Sequence, residues 1–113
     1  MPQYAVLIYS PAPADPMDLT PEYGALLDRY PGQVEELGGK IVTGFALQPS
    51  TTAMAVRGDF VTDGPFLEAK EVVAGFYILD APDNDTALQI AKLNPATRAG
   101  GVEVRPLFTP PAD

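Results

Sequence analysis

The run Val72-Val73-Ala74-Gly75-Phe76-Tyr77-Ile78-Leu79 carries no charge and is built of branched, aromatic and small residues, making it the most strand-like stretch in the chain. Gly75 within it marks a place where the backbone packs against a neighbour, with the Phe76 ring filling space beside it. A second continuous apolar run, Tyr4-Ala5-Val6-Leu7-Ile8-Tyr9, reads as a central strand covered on both faces. Lys40 to Leu47 reads as a third strand, in which Gly44 is either a bulge or a close-approach position. Val102-Glu103-Val104-Arg105 alternates apolar with charged residues, so this last strand buries one face and turns the other toward a polar region.

Two helices lie between these strands. Thr20 is a good N-cap, Pro21 suits the first helical position and Glu22 complements the positive end of the helix. Tyr23, Leu26, Leu27, Tyr30, Val34 and Leu37 then share one helical face, ending at Gly38-Gly39. Pro31 interrupts this pattern at a cost of ~3 kcal/mol in a regular helix, which predicts a kink or short break near Tyr30. Asp83 caps a second helix with Ala87, Leu88, Ala91 and Ile90 inward, closed by Asn94-Pro95. Ser10 to Met17 holds Pro11, Pro13 and Pro16, so it reads as an exposed loop of extended character. Thr51 to Val56 and Asp59 to Thr62 flank Arg57-Gly58 as a small hairpin.

The order is that of an α+β, βαββαβ unit with an inserted hairpin, one domain over residues 1–113. Helices on one face of an antiparallel sheet leave the other bare. Val6, Ile8, Val42, Phe76 and Val104 are expected to make that face apolar, and a second copy is the natural cover, giving a homodimer.

The least generic segment is Val61 to Glu71, a charged turn between apolar runs. Gly64-Pro65 stops the preceding strand, and Asp63 is placed to accept a bond from the Phe66 N–H in an Asx turn. Asp63-Gly64-Pro65-Phe66, then Glu68-Ala69-Lys70-Glu71, Ala74-Gly75-Phe76-Tyr77 and Gly101-Val102-Glu103-Val104-Arg105-Pro106 resemble, in that order, the YCII-related family in its DGPF-domain branch. The resemblance implies a ferredoxin-like domain that pairs into a dimeric α+β barrel, in a family whose function is mostly unassigned.

Composition removes whole classes of chemistry. Seven Lys and Arg stand against fifteen Asp and Glu, a net charge of −8, so nucleic acids and anionic membranes should repel the chain. There is no His and no Cys, which excludes imidazole bases, thiol nucleophiles and the usual zinc sites, and no cofactor motif is present. The N-terminal segment fits neither a signal peptide nor a membrane span, so a cytoplasmic protein is expected. Some YCII-related proteins resemble lyase-like or dehydrochlorinase enzymes that use a His-Asp pair; here only the Asp carries over, onto Asp63.

Asp63 is therefore the candidate proton-moving group, against the plainer reading of a turn-capping carboxylate. Lys70, with Glu68 and Glu71, either binds a polar ligand or forms a solvated face. Arg105 either forks onto a substrate carboxylate or pairs with Glu103 or another neighbour; Arg98 either clamps an anion or is an ordinary surface residue. Tyr9, Gln48 and Phe66 complete the candidate pocket, which needs no metal. Two readings follow. One is a lyase- or isomerase-type enzyme, or binder, acting on a small polar molecule bearing a carboxylate. The other is a regulatory protein, because DGPF-type proteins resemble partners of extracytoplasmic-function sigma factors, and an acidic chain suits a basic docking surface. The barrel also hosts cofactor-independent monooxygenases, an analogy of fold alone.

Overall fold

The computed structural model describes residues 1–65 and 69–111. Four strands, β1 (Gln3–Pro11), β2 (Lys40–Ala46), β5 (Glu71–Asp80) and β6 (Gly101–Pro106), form one antiparallel sheet in the order β2-β5-β1-β6. β3 (Met54–Arg57) and β4 (Phe60–Asp63) pair as a separate hairpin. Helices α1 (Pro21–Glu36) and α2 (Asn84–Lys92) complete a ferredoxin-like α+β domain with an inserted hairpin.

Local chemistry sets the helix starts. Thr20 accepts from Tyr23 N at 3.1 Å, and Asp83 accepts from Thr86 N at 2.8 Å. That Thr86 N–H bond also holds the Asp83 carboxyl below its usual range. α1 runs unbroken through Pro31, so of the expected kink or short break the break does not occur. The ring removes one i→i−4 bond, to the Leu27 carbonyl, and anchoring of the helix by buried Tyr30 and Val34 on either side outweighs that local loss.

Residues on one face of the sheet meet the helices. Tyr4 lies opposite Leu79, and Val6 lies opposite both Tyr77 and Val104. These residues, with Val34, Ala87 and Ile90, make the core, and Ile8, Val102 and Val104 pack against it. Each fully buried side chain such as Leu79 or Ile90 contributes roughly 1.5–3 kcal/mol. The expectation that Val6, Ile8 and Val104 form the bare face is thus corrected. Both parities of β1 are apolar, and the helices settled on the even one. Leu7, Phe45, Phe76 and Ile78, together with the bulged Val42, belong to the side the helices leave open. There the Phe45 and Phe76 rings lie 6.0 Å apart and Phe45 is 62% exposed. α2 likewise buries Ala87, Ile90 and Ala91 but leaves Leu88 exposed, a rotation of about one residue from the expected face.

Two close approaches fix the sheet. A Cβ on Gly75 would lie 2.6 Å from the Phe45 carbonyl oxygen, and one on Gly100 would lie 2.0 Å from the Tyr9 carbonyl oxygen. The bulge in β2 falls at Val42 between Ile41 and Thr43, while Gly44 is a close-approach site. Met54, Val56, Phe60 and Val61 of the hairpin are exposed, and the radius of gyration, 15.6 Å, exceeds the ~13 Å expected for a compact chain of this length.

Candidate functional site

Between the helix-covered face of the sheet, the first half of α1 and the loop from Pro11 to Leu19 lies a cavity of about 930 Å³. Its walls are largely apolar, with Ile8, Pro16, Leu27, Pro31, Ile41 and Ala46 contributing. A volume of this size suits a small organic ligand.

The loop that walls it is folded, not extended as its proline content suggested. Ala12 N donates to the Lys70 carbonyl at 2.8 Å, Ala14 N to the Pro11 carbonyl at 2.9 Å, and Ser50 N to the Pro13 carbonyl at 2.7 Å. Ala14 sits at φ 56°, a left-handed conformation that costs a non-glycine residue energy and is held here by those bonds. Asp15 accepts from Met17 N at 2.9 Å, closing a second small turn.

At the deep end are Tyr30, Tyr77 and Asn94, all buried. Gly44 makes their arrangement possible, because a Cβ there would lie 2.8 Å from the Tyr77 Cβ. The Tyr30 and Tyr77 rings meet edge to face at 6.0 Å, and their hydroxyls are hydrogen-bonded. Tyr30 also donates to the Ile90 carbonyl at 3.1 Å. A carbonyl can only accept, so the single Tyr30 proton points to Ile90 and Tyr77 donates to Tyr30. Both phenolic protons are engaged within the protein. Burial raises the pKa of Tyr30 and of Tyr77; the charge and hydrogen bond of Tyr77 add to the rise at Tyr30, and the Asn94 side chain opposes it at both. The phenols stay neutral at physiological pH. Asn94 also accepts from Ala96 N at 2.9 Å, which caps the short 3-10 turn Pro95–Arg98 and fixes the amide at the cavity's end.

The residues singled out from sequence are dispersed around this cavity. Asp63 ends β4, is exposed and pairs with Met54; it lines neither hollow described here. Lys70 lines a smaller hollow of about 370 Å³ with Pro65, Ala12 and Ser50, beside the turn that follows Asp63. Tyr9 is half-buried at the end of β1 against Gly100, and Gln48 is exposed after β2. Arg98 is exposed at the end of the 3-10 turn. Arg105 is exposed on β6, its Nε 3.2 Å from Glu103 Oε2. Phe66, its Asx-turn bond to Asp63 and Glu68 lie outside the described residues. Among the described residues no group of three or more metal-ligating side chains occurs, and no helix is long and apolar enough to cross a membrane.

Sequence reasoning passed over Tyr30, Tyr77 and Asn94. Tyr30 counted as one more apolar position of a helix face, Tyr77 as part of a strand and Asn94 as a helix stop. The usable signal was the tyrosine itself, since a buried phenol requires a hydrogen-bond partner.

The four-stranded antiparallel sheet, two helices on one face and a cavity between them define a ferredoxin-like α+β domain with a hollow beneath its first helix. The model of the YCII-related domain matches residues 5–109, and the chain belongs to that family. It is also similar to an uncharacterized protein of Rhizobium meliloti (strain 1021), 42% identical over 77 residues. That alignment covers 61% of this chain and 60% of the relative's length.

Proposed function

We propose that this YCII-related protein binds a small organic molecule in the cavity beneath α1. The observation that carries the reading is the cavity itself, about 930 Å³ with apolar walls and, at one end, the hydrogen-bonded Tyr30-Tyr77 pair beside an Asn94 fixed by Ala96 N. Preformed walls lower the entropy lost on binding. Ala46 lines the cavity, is exposed on the edge strand β2 and tolerates a larger side chain without disturbing the core, so Ala46→Phe obstructs the site. Thermal-shift screening of small apolar compounds on wild-type and Ala46→Phe protein tests the reading. Hits should be lost in the variant; hits that survive unchanged place the ligand elsewhere.

The proposal includes a homodimer, because the open sheet face with Leu7, Phe45, Phe76 and Ile78 is a contiguous apolar surface that water covers at a cost. Sedimentation at micromolar concentration should give twice the chain mass, and Phe45→Asp should return it to one. A lyase- or isomerase-type step drawing on Asp63 would need the hairpin of a second copy to bring that carboxylate to the ligand, since Asp63 does not line its own chain's cavity. The exposed Met54, Val56, Phe60 and Val61 favour a second reading, docking to another protein such as an extracytoplasmic-function sigma factor. Titration with such a factor, giving no binding up to tens of micromolar, would remove it.

A further inference from the structure

We propose that the ligand of this cavity is a hydrophobic amine, an apolar body with a hydrogen-bond-donating head and no negative charge; the inference rests on the cavity reading above. Three observations carry it. First, among the described residues no Lys or Arg lines the cavity, whereas Asp15 and Asp18 both do. A carboxylate or phosphate entering there would leave water for apolar walls and two like charges, with no cation to replace its hydration. The carboxylate-bearing ligand expected from sequence was inferred from Arg98 and Arg105, neither of which lines this cavity.

Second, the deep end offers no free phenolic proton. Tyr30 donates to the Ile90 carbonyl and Tyr77 to Tyr30, so neither hydroxyl can clamp an anion without breaking a buried bond. Third, Pro31 has no N–H, which leaves the Leu27 carbonyl without its helical donor, and both residues border the cavity. The cavity therefore holds two carboxylates and the hydroxyls of Ser10, Thr20 and Tyr23 but no cation, and a ligand whose head is a cationic donor is the complement. The protein's net charge of −8 acts in the same direction at longer range.

The test uses three probes of one shape: 2-(1-naphthyl)ethylamine, the corresponding alcohol 2-(1-naphthyl)ethanol, and 1-naphthylacetate. Affinities are measured by calorimetry at pH 7 and low salt on the full chain, wild type, Ala46→Phe and Asp15→Asn/Asp18→Asn. The amine should bind about tenfold more tightly than the carboxylate, with the alcohol between them, given two partly screened carboxylates. Asp15→Asn/Asp18→Asn should shrink the amine's advantage over the alcohol. All binding should weaken in Ala46→Phe. If the carboxylate binds as tightly as the amine, and Ala46→Phe still abolishes binding, the cavity reading stands and the amine inference is overturned. If no probe binds, or binding ignores Ala46→Phe, the cavity reading falls and takes this inference with it.

Discussion

The proton order at the deep end of the cavity makes an asymmetric prediction about two substitutions that look equivalent in sequence. In Tyr30→Phe the Tyr77 hydroxyl loses its acceptor while buried, a loss of about 2 kcal/mol within the usual 1–3 kcal/mol range for an orphaned buried donor. The Ile90 carbonyl suffers less, because it keeps the Leu93 N–H at 3.1 Å. In Tyr77→Phe the Tyr30 hydroxyl still donates to Ile90, and only an incoming bond disappears, a loss of about 1 kcal/mol. The double variant removes the orphaned donor as well, so it should cost about 2 kcal/mol rather than the additive 3, a coupling of roughly 1 kcal/mol. Urea denaturation of the four proteins, with the slope checked for constancy, measures all three quantities. A Tyr77→Phe loss equal to or larger than that of Tyr30→Phe, or strict additivity, would refute the assigned direction of the bonds.

The same phenols set an alkaline limit. Their folded pKa values are raised by burial, so the stability they contribute is fully present below the unfolded value near 10 and is lost as pH rises above it. The loss should be roughly 1.4–2.7 kcal/mol per pH unit above ~10, for one or two protons taken from the unfolded chain, and Tyr30→Phe should flatten it in pH-dependent unfolding. Pro31→Ala restores the missing donor to Leu27 and should stabilise the fold by about 2 kcal/mol, helical gain less the unfolded-chain entropy that proline removes; an unchanged melting temperature would show the carbonyl already satisfied. Gly100→Ala places a Cβ against the Tyr9 carbonyl and should cost about 3 kcal/mol or more, seen as a large fall in the urea midpoint. Thr20→Ala should cost only about 1 kcal/mol, the loss of a single cap, and lower the melting temperature by a few degrees.

What the amino-acid order settled was local and near in sequence. Thr20 and Asp83 start their helices because a short side-chain oxygen satisfies an N–H three residues on, a bond that needs nothing from the rest of the molecule. Gly75 was legible as a contact point, and the strand–helix order bounded the topology to a ferredoxin-like unit. Which face of the sheet the helices cover was decided only by tertiary packing. β1 is apolar on both parities, so Tyr4, Val6 and Ile8 were as eligible for the open side as Ala5 and Leu7. The choice between them follows from where Tyr30, Val34 and Ile90 reach, and a strand's own pattern carries no record of that. The cavity belongs to the same category. Tyr30 comes from α1, Tyr77 from β5 and Asn94 from the turn after α2, and these are joined through space by hydroxyls whose partners lie tens of residues away. Charged and turn residues advertise themselves singly in a sequence, whereas a hollow is a property of the gaps between elements, and only the folded chain defines those.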